Sequence, residues 1–485
     1  MNSPKTSPFK PDRRHLHPWI LLALAAGLLV VVVVPAKADR IDKYIAAQMK
    51  NQEIPGLALA VVRDGKIRKV KGYGLADVEL DVPVSEHSVF QWASVTKQFT
   101  ATAIMLLVQD RKLKLDDFIS THYTNAPVAW SNVTVRHLLT HTSGIKGYTD
   151  LPNFFGTIRK DYTADELLGL VTDRPLDFTP GEKWAYCNTG YYLLGLIIEK
   201  ASGQTYADFL SKRIFQPLGM ATARVNNQFE LIPNRATGYE NRSNTVWRSE
   251  FVSPTQPYAA GALVGTVLDL VKWDAALRSD KLLPSSVLQE MWTPVKLTDG
   301  KTSPYGYGWQ VDDIRKHHFV GHGGGIHGFT SFILRLVDDK LTVIVLANTG
   351  ASPQSIATGV AGHYIPGLTL RSIKPQTDSE PDLSGRLKQC LVQMAEKKDS
   401  EMLTPEFREN WSRSRRRHAT VQQDVKALKS LVFIIEEQPE GRQRDVQGMA
   451  VAKLRSYRLS TGDGLRYYTF SLTADNRVAQ LQVED

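Results

Sequence analysis

Cysteine is scarce in this chain of 485 residues: Cys187 and Cys390 are the only two. That is too few for a disulfide framework, and a bridge between them would tie the middle of the chain to its tail. Metal-binding patterns are missing as well. His322 and His327 have no carboxylate at a zinc-type spacing, which argues against a metal cofactor. Basic residues exceed acidic ones by nine, yet no basic stretch is interleaved with aromatics, so no nucleic-acid groove is indicated. The arginine-rich run 413–417 reads as a solvated helix face. No Gly-x-Ser-x-Gly elbow occurs, which removes the α/β-hydrolase route to a nucleophilic serine. No internal repeat is present. What remains, with 42% apolar and 22% charged residues, has the composition of a globular protein of two or three units.

The first 38 residues stand apart. A basic start precedes an apolar run of 16 residues, 19–34, followed by Ala36-Lys37-Ala38. The run is short of the about 20 residues a spanning helix needs, and the small-x-small triplet fits a signal-peptidase site. Export to the periplasm or exterior with cleavage after Ala38 is the expectation; retention as an outward-facing membrane anchor is the alternative. Without the leader the charge surplus is small, consistent with a mixed soluble surface.

Downstream, 57–62 and 66–73 read as strands around the turn Asp64-Gly65. Helical spacing runs from 95 to about 112 and again over 191–201, where Ser202-Gly203 stops it. Two β-rich runs, 329–337 and 341–348, flank Asp338-Asp339 as a hairpin. Strands at both ends with helices between predict an α/β (α+β) domain over 39–370, its one sheet drawn from distant segments. A Pro/Ser/Asp-rich linker over 371–384 follows. The tail, 385–485, reads as helical over 387–411, with strands at 431–437, 452–459 and 467–472, a small α+β domain.

Candidate chemistry starts at Ser94 and Lys97. If Ser94 opens the helix, Lys97 lies one turn later on the same face and its amine reaches the hydroxyl. A serine hydroxyl needs such a base, and burial lowers a lysine pKa toward that task. Alone, Ser-x-x-Lys reads equally well as a helix cap with a solvated lysine. The apolar text on both sides, Phe90 to Ala93 and Gln98 to Ala101, instead embeds the pair. Tyr186-Cys187-Asn188 precedes the second helix, and His322-Gly323-Gly324 precedes the hairpin.

These three elements, in this order, resemble the Ser-x-x-Lys, Tyr-x-Asn and Lys/His-x-Gly triplet of class C β-lactamases and related penicillin-binding-protein-like hydrolases. The segments 135–144, 217–220, 261–263 and 305–309 are similar to the family's flanking text, and the likeness covers about residues 40–365. It implies an antiparallel sheet flanked by helices with an all-helical subdomain, and a covalent acyl-enzyme on Ser94. It further implies proton transfer shared by Lys97 and Tyr186, with Asn188 binding the substrate amide and holding Lys97. His322 would stand on the strand edge facing Ser94 as a neighbouring cation for Tyr186, and the backbone N–H groups of Ser94 and Gly325 would form the oxyanion hole. Gly323, Gly324 and Gly325 would leave room for a substrate backbone. Cys187 reads as a packing residue, and His137 and His141 as structural hydrogen-bonders.

One departure matters. Histidine replaces the lysine of a strong β-lactamase at position 322, and Gly323 replaces its hydroxyl residue. A histidine is mostly neutral at pH 7 and binds a substrate carboxylate less well. D-amino-acid peptidase, esterase or weak β-lactamase activity on a small-molecule or peptide substrate is therefore expected, with no cofactor. The alternative is a catalytically silent sensor that keeps the pocket for recognition.

Overall fold

The computed structural model describes residues 39–484, except 243, 244, 414, 440, 447 and 463. The expected leader lies outside the described residues. Among those described, no helix is long and apolar enough to cross a membrane.

Seven antiparallel strands form the central sheet. They are Gly56–Arg63 (β1), Lys66–Asp77 (β2), Val82–Pro83 (β3), Gln310–Ile314 (β4), His317–Ile326 (β5), Phe329–Leu336 (β6) and Leu341–Ala347 (β7). Their order is β4-β5-β6-β7-β1-β2-β3, so segments 290 residues apart in sequence meet where Leu57 pairs with Ala347. The sheet is antiparallel throughout, as the family likeness implied. Side chains of a strand alternate between faces. In β1, Leu57, Leu59 and Val61 face one core with the helices Arg40–Gln52 (α1) and Pro353–Gly362 (α5). Ala58 and Ala60 face the other core, which explains why β1 is apolar at nearly every position.

That second core holds Thr96–Gln109 (α2), Val135–Leu139 (α3) and Asn188–Ser202 (α4). Every residue of α2 from Thr96 to Leu107 is buried, the mark of a central helix rather than a surface one. Gly203 ends α4 at φ 70°, a left-handed cap that glycine adopts without strain. The Ser202-Gly203 stop was thus placed correctly from sequence, whereas α4 starts three residues earlier than its apolar spacing suggested. The hairpin at 329–348 stands as expected.

The tail differs from its sequence reading. The helical stretch splits into Pro381–Ala395 (α6) and Pro405–Arg413 (α7), and a further helix, Arg415–Lys426 (α8), lies beyond it. Lys397, at φ 59°, breaks the first helix, and Pro405 starts the second. Because Pro381 opens α6, the last residues of the expected linker are helical, and proline suits a first helical turn. Strands Ser430–Glu437 (β8), Lys453–Thr461 (β9), Gly464–Leu472 (β10) and Val478–Glu484 (β11) make one antiparallel sheet in that order; β11 carries no clear alternation and was not read from sequence. Leu387, Leu391 and Met394 of α6 pack on Leu459, Phe470 and Leu472. Arg455 is fully buried in this sheet and bonds Asp378 and Glu436, so the expected linker segment is tied to β9. At the β4–β5 turn, Arg315 approaches Glu437 at 3.6 Å and Glu484 at 3.9 Å, linking the tail to the strand pair that leads to His322.

Candidate active site

Ser94 does not sit in the α-helix proper. It occupies a single 3₁₀ turn, Ala93–Val95, just before α2, and caps nothing with its side chain. Ala93 has φ 47°, a left-handed conformation costing a β-carbon residue about 1–2 kcal/mol. Surrounding bonds hold it there. The Ser331 hydroxyl of β6 donates to the Trp92 carbonyl at 2.7 Å, the Trp92 indole donates to Gly265 O at 3.1 Å, and Leu263 N–H donates to Thr96 Oγ1 at 3.1 Å. Strain kept in place by its neighbours is typical of a working turn.

Lys97 points back along this turn. Its Nζ lies 3.2 Å from Ser94 Oγ, 2.8 Å from Asn188 Oδ1 and 2.8 Å from Ala260 O. The side chain is wholly buried, and desolvation pulls its pKa well below the ordinary lysine value. A neutral amine has two N–H groups and one lone pair. The two carbonyl-type oxygens accept both N–H groups, so the lone pair is left for the Ser94 hydroxyl proton. Asn188 Nδ2 donates to Thr149 Oγ1 at 3.2 Å, which fixes the amide with its oxygen toward Lys97.

Tyr186 closes the other side. Lys97 Nζ stands 4.7 Å from its ring centroid. Its hydroxyl is shielded from solvent without a hydrogen bond of good geometry; burial pushes its pKa up, and the nearby Ser94 side chain draws it down. Asn188 begins α4 directly after Cys187, whose thiol contacts Ile145 O at 3.2 Å. Both cysteines are buried and free, so the bridge considered from sequence is not formed.

His322 brings in the third motif, on β5. It lies in the cleft wall with Ser94 and Tyr186, but it is 2% exposed and committed elsewhere. Its Nδ1 is 2.6 Å from Gly323 O, which can only accept, and its Nε2 is 2.8 Å from the Tyr305 hydroxyl. Nδ1 therefore carries a proton, and Nε2 shares a hydrogen bond with the Tyr305 hydroxyl. Its centroid is 6.2 Å from that of Tyr186, the phenol that the family likeness gives it as neighbour. Gly324 has a sharper role than expected. A β-carbon there would lie 2.2 Å from Trp92 O and 3.0 Å from the Ser94 nitrogen. On Gly325 it would meet nothing within 4 Å. Only the middle of the glycine run is forced, and what forces it is the nucleophile turn.

The pairing of β4 with β5 runs from Ile314↔His317 to Gln310↔Gly321. The edge of β5 from His322 onward is thus left open beside Ser94, over a cleft of about 500 Å³. No lysine or arginine stands among the described residues lining it. Ser94, Tyr186, His322 and Gly324 meet at this cleft, with Lys97 and Asn188 bonded behind Ser94, and Gly325 follows on the same strand. Tyr305, Ala260 and Thr149 were missed as partners, although Tyr305 stands inside a flanking segment already singled out.

The profile of the Beta-lactamase family matches residues 41–360. Penicillin-binding protein 4* of Bacillus subtilis (strain 168) is 33% identical over 317 residues, 62% of this chain and 69% of that protein. The D-amino acid amidase of Ochrobactrum anthropi SV3 is 30% identical with TM-score 0.56, over 64% of this chain and 90% of that one. An octameric penicillin-binding protein homologue from Pyrococcus abyssi, at 22% identity, shares the fold over 92% of this chain and 95% of its own, with TM-score 0.61. The chain spans 63–69% of the length of the curated relatives it matches. It belongs to the Beta-lactamase family, as a serine hydrolase of the type that also includes penicillin-binding proteins and D-amino acid amidases.

Proposed function

We propose that the chain hydrolyses amide or ester bonds of small, uncharged-end substrates, D-amino-acid amides in particular, through an acyl-enzyme on Ser94. The observation that carries this reading is the Lys97 amine, buried, with both N–H groups committed and its lone pair toward Ser94. Lys97 takes the hydroxyl proton as Oγ attacks the carbonyl carbon. The oxyanion is held by the N–H groups of Ser94 and Gly325, each such donor being worth about 3 kcal/mol. The ammonium formed is stabilised by the faces of Tyr186 and Tyr191, at 4.7 and 5.3 Å. Tyr186, kept protonated by burial, relays a proton: it gives its own to the leaving group and takes one from the Lys97 ammonium. Water then releases the acyl group by the reverse proton path.

The cleft favours an amide over a carboxylate-ended substrate because no lysine or arginine stands among the described residues lining it and His322 is engaged with Tyr305. Efficient β-lactam hydrolysis is accordingly not expected. The leader supports export, with the enzyme working outside the cytoplasm on a small-molecule substrate; nucleic acid is not a partner, and the membrane is met only through that segment. The test is a fluorophosphonate probe together with a panel of D- and L-amino-acid amides, p-nitrophenyl esters and nitrocefin, on wild type and Ser94→Ala. Labelling or turnover that survives the substitution overturns the assignment. Labelling without any turnover supports the silent sensor instead.

A further inference from the structure

We infer that His141 is a positioning residue that holds Tyr186 in register with Ser94 through two bonds to the segment on either side of it. The inference rests on the reading of Ser94 and Tyr186 given above. The His141 carbonyl accepts from Ala185 N–H at 2.9 Å, and its imidazole Nδ1 accepts from Cys187 N–H at 3.1 Å. Tyr186 lies between the two anchored residues, so one residue fixes the backbone immediately before and after the phenol. Asn188, which holds Lys97, follows directly.

The backbone of His141 is itself committed to this arrangement. It has φ 59°, in the left-handed region where a β-carbon residue is strained unless it is Asn, Asp or a well-supported His. The turn around it is fixed by Thr142 N–H to His137 O at 2.9 Å and Gly181 N–H to Thr142 O at 2.8 Å. The ring fills the space between the motifs, with centroids 4.4 Å from Tyr186, 5.0 Å from Tyr191 and 4.7 Å from Tyr305. Because Tyr305 is the partner of His322, the same ring touches both the second and the third motif. An amide N–H donates to Nδ1, so the proton of the neutral ring is on Nε2, and that atom is buried without a hydrogen-bond partner. The side chain is 1% exposed. Leaving a buried donor unpaired is costly, and a leucine or methionine would fill the same space without that cost. The geometry says what the nitrogen is for: the acceptor at Nδ1.

Asparagine and glutamine separate this role from simple packing. Asn Oδ1 reaches the position of Nδ1 and asparagine tolerates positive φ, whereas the Gln amide reaches toward Nε2 and offers Cys187 nothing. The experiment compares His141→Asn, His141→Gln and His141→Leu in the full chain, using steady-state kinetics on a p-nitrophenyl ester, the fluorophosphonate labelling rate, and thermal unfolding. His141→Asn is expected to keep kcat within a fewfold of wild type. His141→Gln and His141→Leu are expected to lose kcat by about a hundredfold with KM little changed, the scale of an ångström of misplacement. Equal activity in the Asn and Gln variants, high or low, overturns the inference even if the Leu variant does not fold. Activity that persists in Ser94→Ala overturns the underlying reading instead, so the two failures are distinct.

Discussion

A β-carbon on Gly324 would stand 3.0 Å from the amide nitrogen of Ser94 and 2.2 Å from the carbonyl of Trp92. The strand edge and the nucleophile turn are therefore in close backbone contact, with the Ser331 hydroxyl beside them, 2.4 Å from the same β-carbon position. Gly324→Ala must push the two apart, and a shift near an ångström at reacting atoms costs about a hundredfold in rate. The acylation rate should fall by that much while the protein stays folded. Gly325→Ala, whose β-carbon meets nothing, should fold normally and label at a rate close to wild type. Stopped-flow acylation of both variants checks the contrast; equal rates would show that the edge is free to move.

The base assignment gives a second expectation. Asn188→Asp places a carboxylate where a neutral oxygen now stands 2.8 Å from Lys97 Nζ. An adjacent opposite charge favours the ammonium and should raise the Lys97 pKa by about 1–3 units. The active form is the neutral amine, so the acidic limb of the kcat/KM profile should move to higher pH by at least about one unit. At a pH on that limb the rate should drop about tenfold for each unit moved. An unmoved limb in a folded variant would remove Lys97 as the base.

His141 makes the wild type sensitive to acid. Burial holds its pKa well below the ordinary histidine value, while the unfolded chain protonates it near pH 6.5. Between those two pKa values the unfolded state binds the extra proton. Stability therefore falls as pH drops from about 6.5, by at most about 1.4 kcal/mol per pH unit, until the folded ring itself protonates. His141→Asn cannot titrate, so its urea midpoint should change less between pH 6.5 and 5 than that of the wild type. Parallel curves for the two proteins would contradict the lowered pKa.

Much of this site was legible in sequence because its chemistry is carried by local spacing. Ser94 and Lys97 are three apart and Tyr186 and Asn188 two apart, so short patterns expose them. The hairpin after His322 was legible because apolar and β-branched residues stop abruptly at Asp338-Asp339. What stayed hidden depends on tertiary contact. Tyr305 engages His322 only because Tyr305 precedes β4 and β4 pairs with β5. Ala260 contributes a backbone carbonyl, which no side-chain pattern reveals. The true helix breaks in the tail are set by Lys397 and Pro405 within a stretch whose apolar spacing runs through both. Its last strand, β11, pairs with β10 despite a weak pattern of its own, since an edge strand draws on its neighbour for both register and burial.

Arg455 shows what holds the tail together. It is fully buried, bonding Glu436 at 2.6 Å, Asp378, and the Tyr457 hydroxyl at 3.0 Å, and lying 4.6 Å from the Phe433 ring centroid. Arg455→Met keeps much of the apolar stem but leaves Asp378 and Glu436 facing one another without their shared cation. Breaking a buried pair by removing one partner costs about 3–5 kcal/mol. Both carboxylates keep some solvent contact, which places the expectation at the lower end, about 3 kcal/mol. Urea unfolding should show a destabilised transition, while Ser94 labelling below that transition stays at the wild-type rate, because none of these residues reaches the cleft. A loss under about 1 kcal/mol would class the network with exposed ion pairs. A labelling rate that falls in step with stability would instead show that the tail supports the β4–β5 pair through Arg315, Glu437 and Glu484, and with it the strand that carries His322.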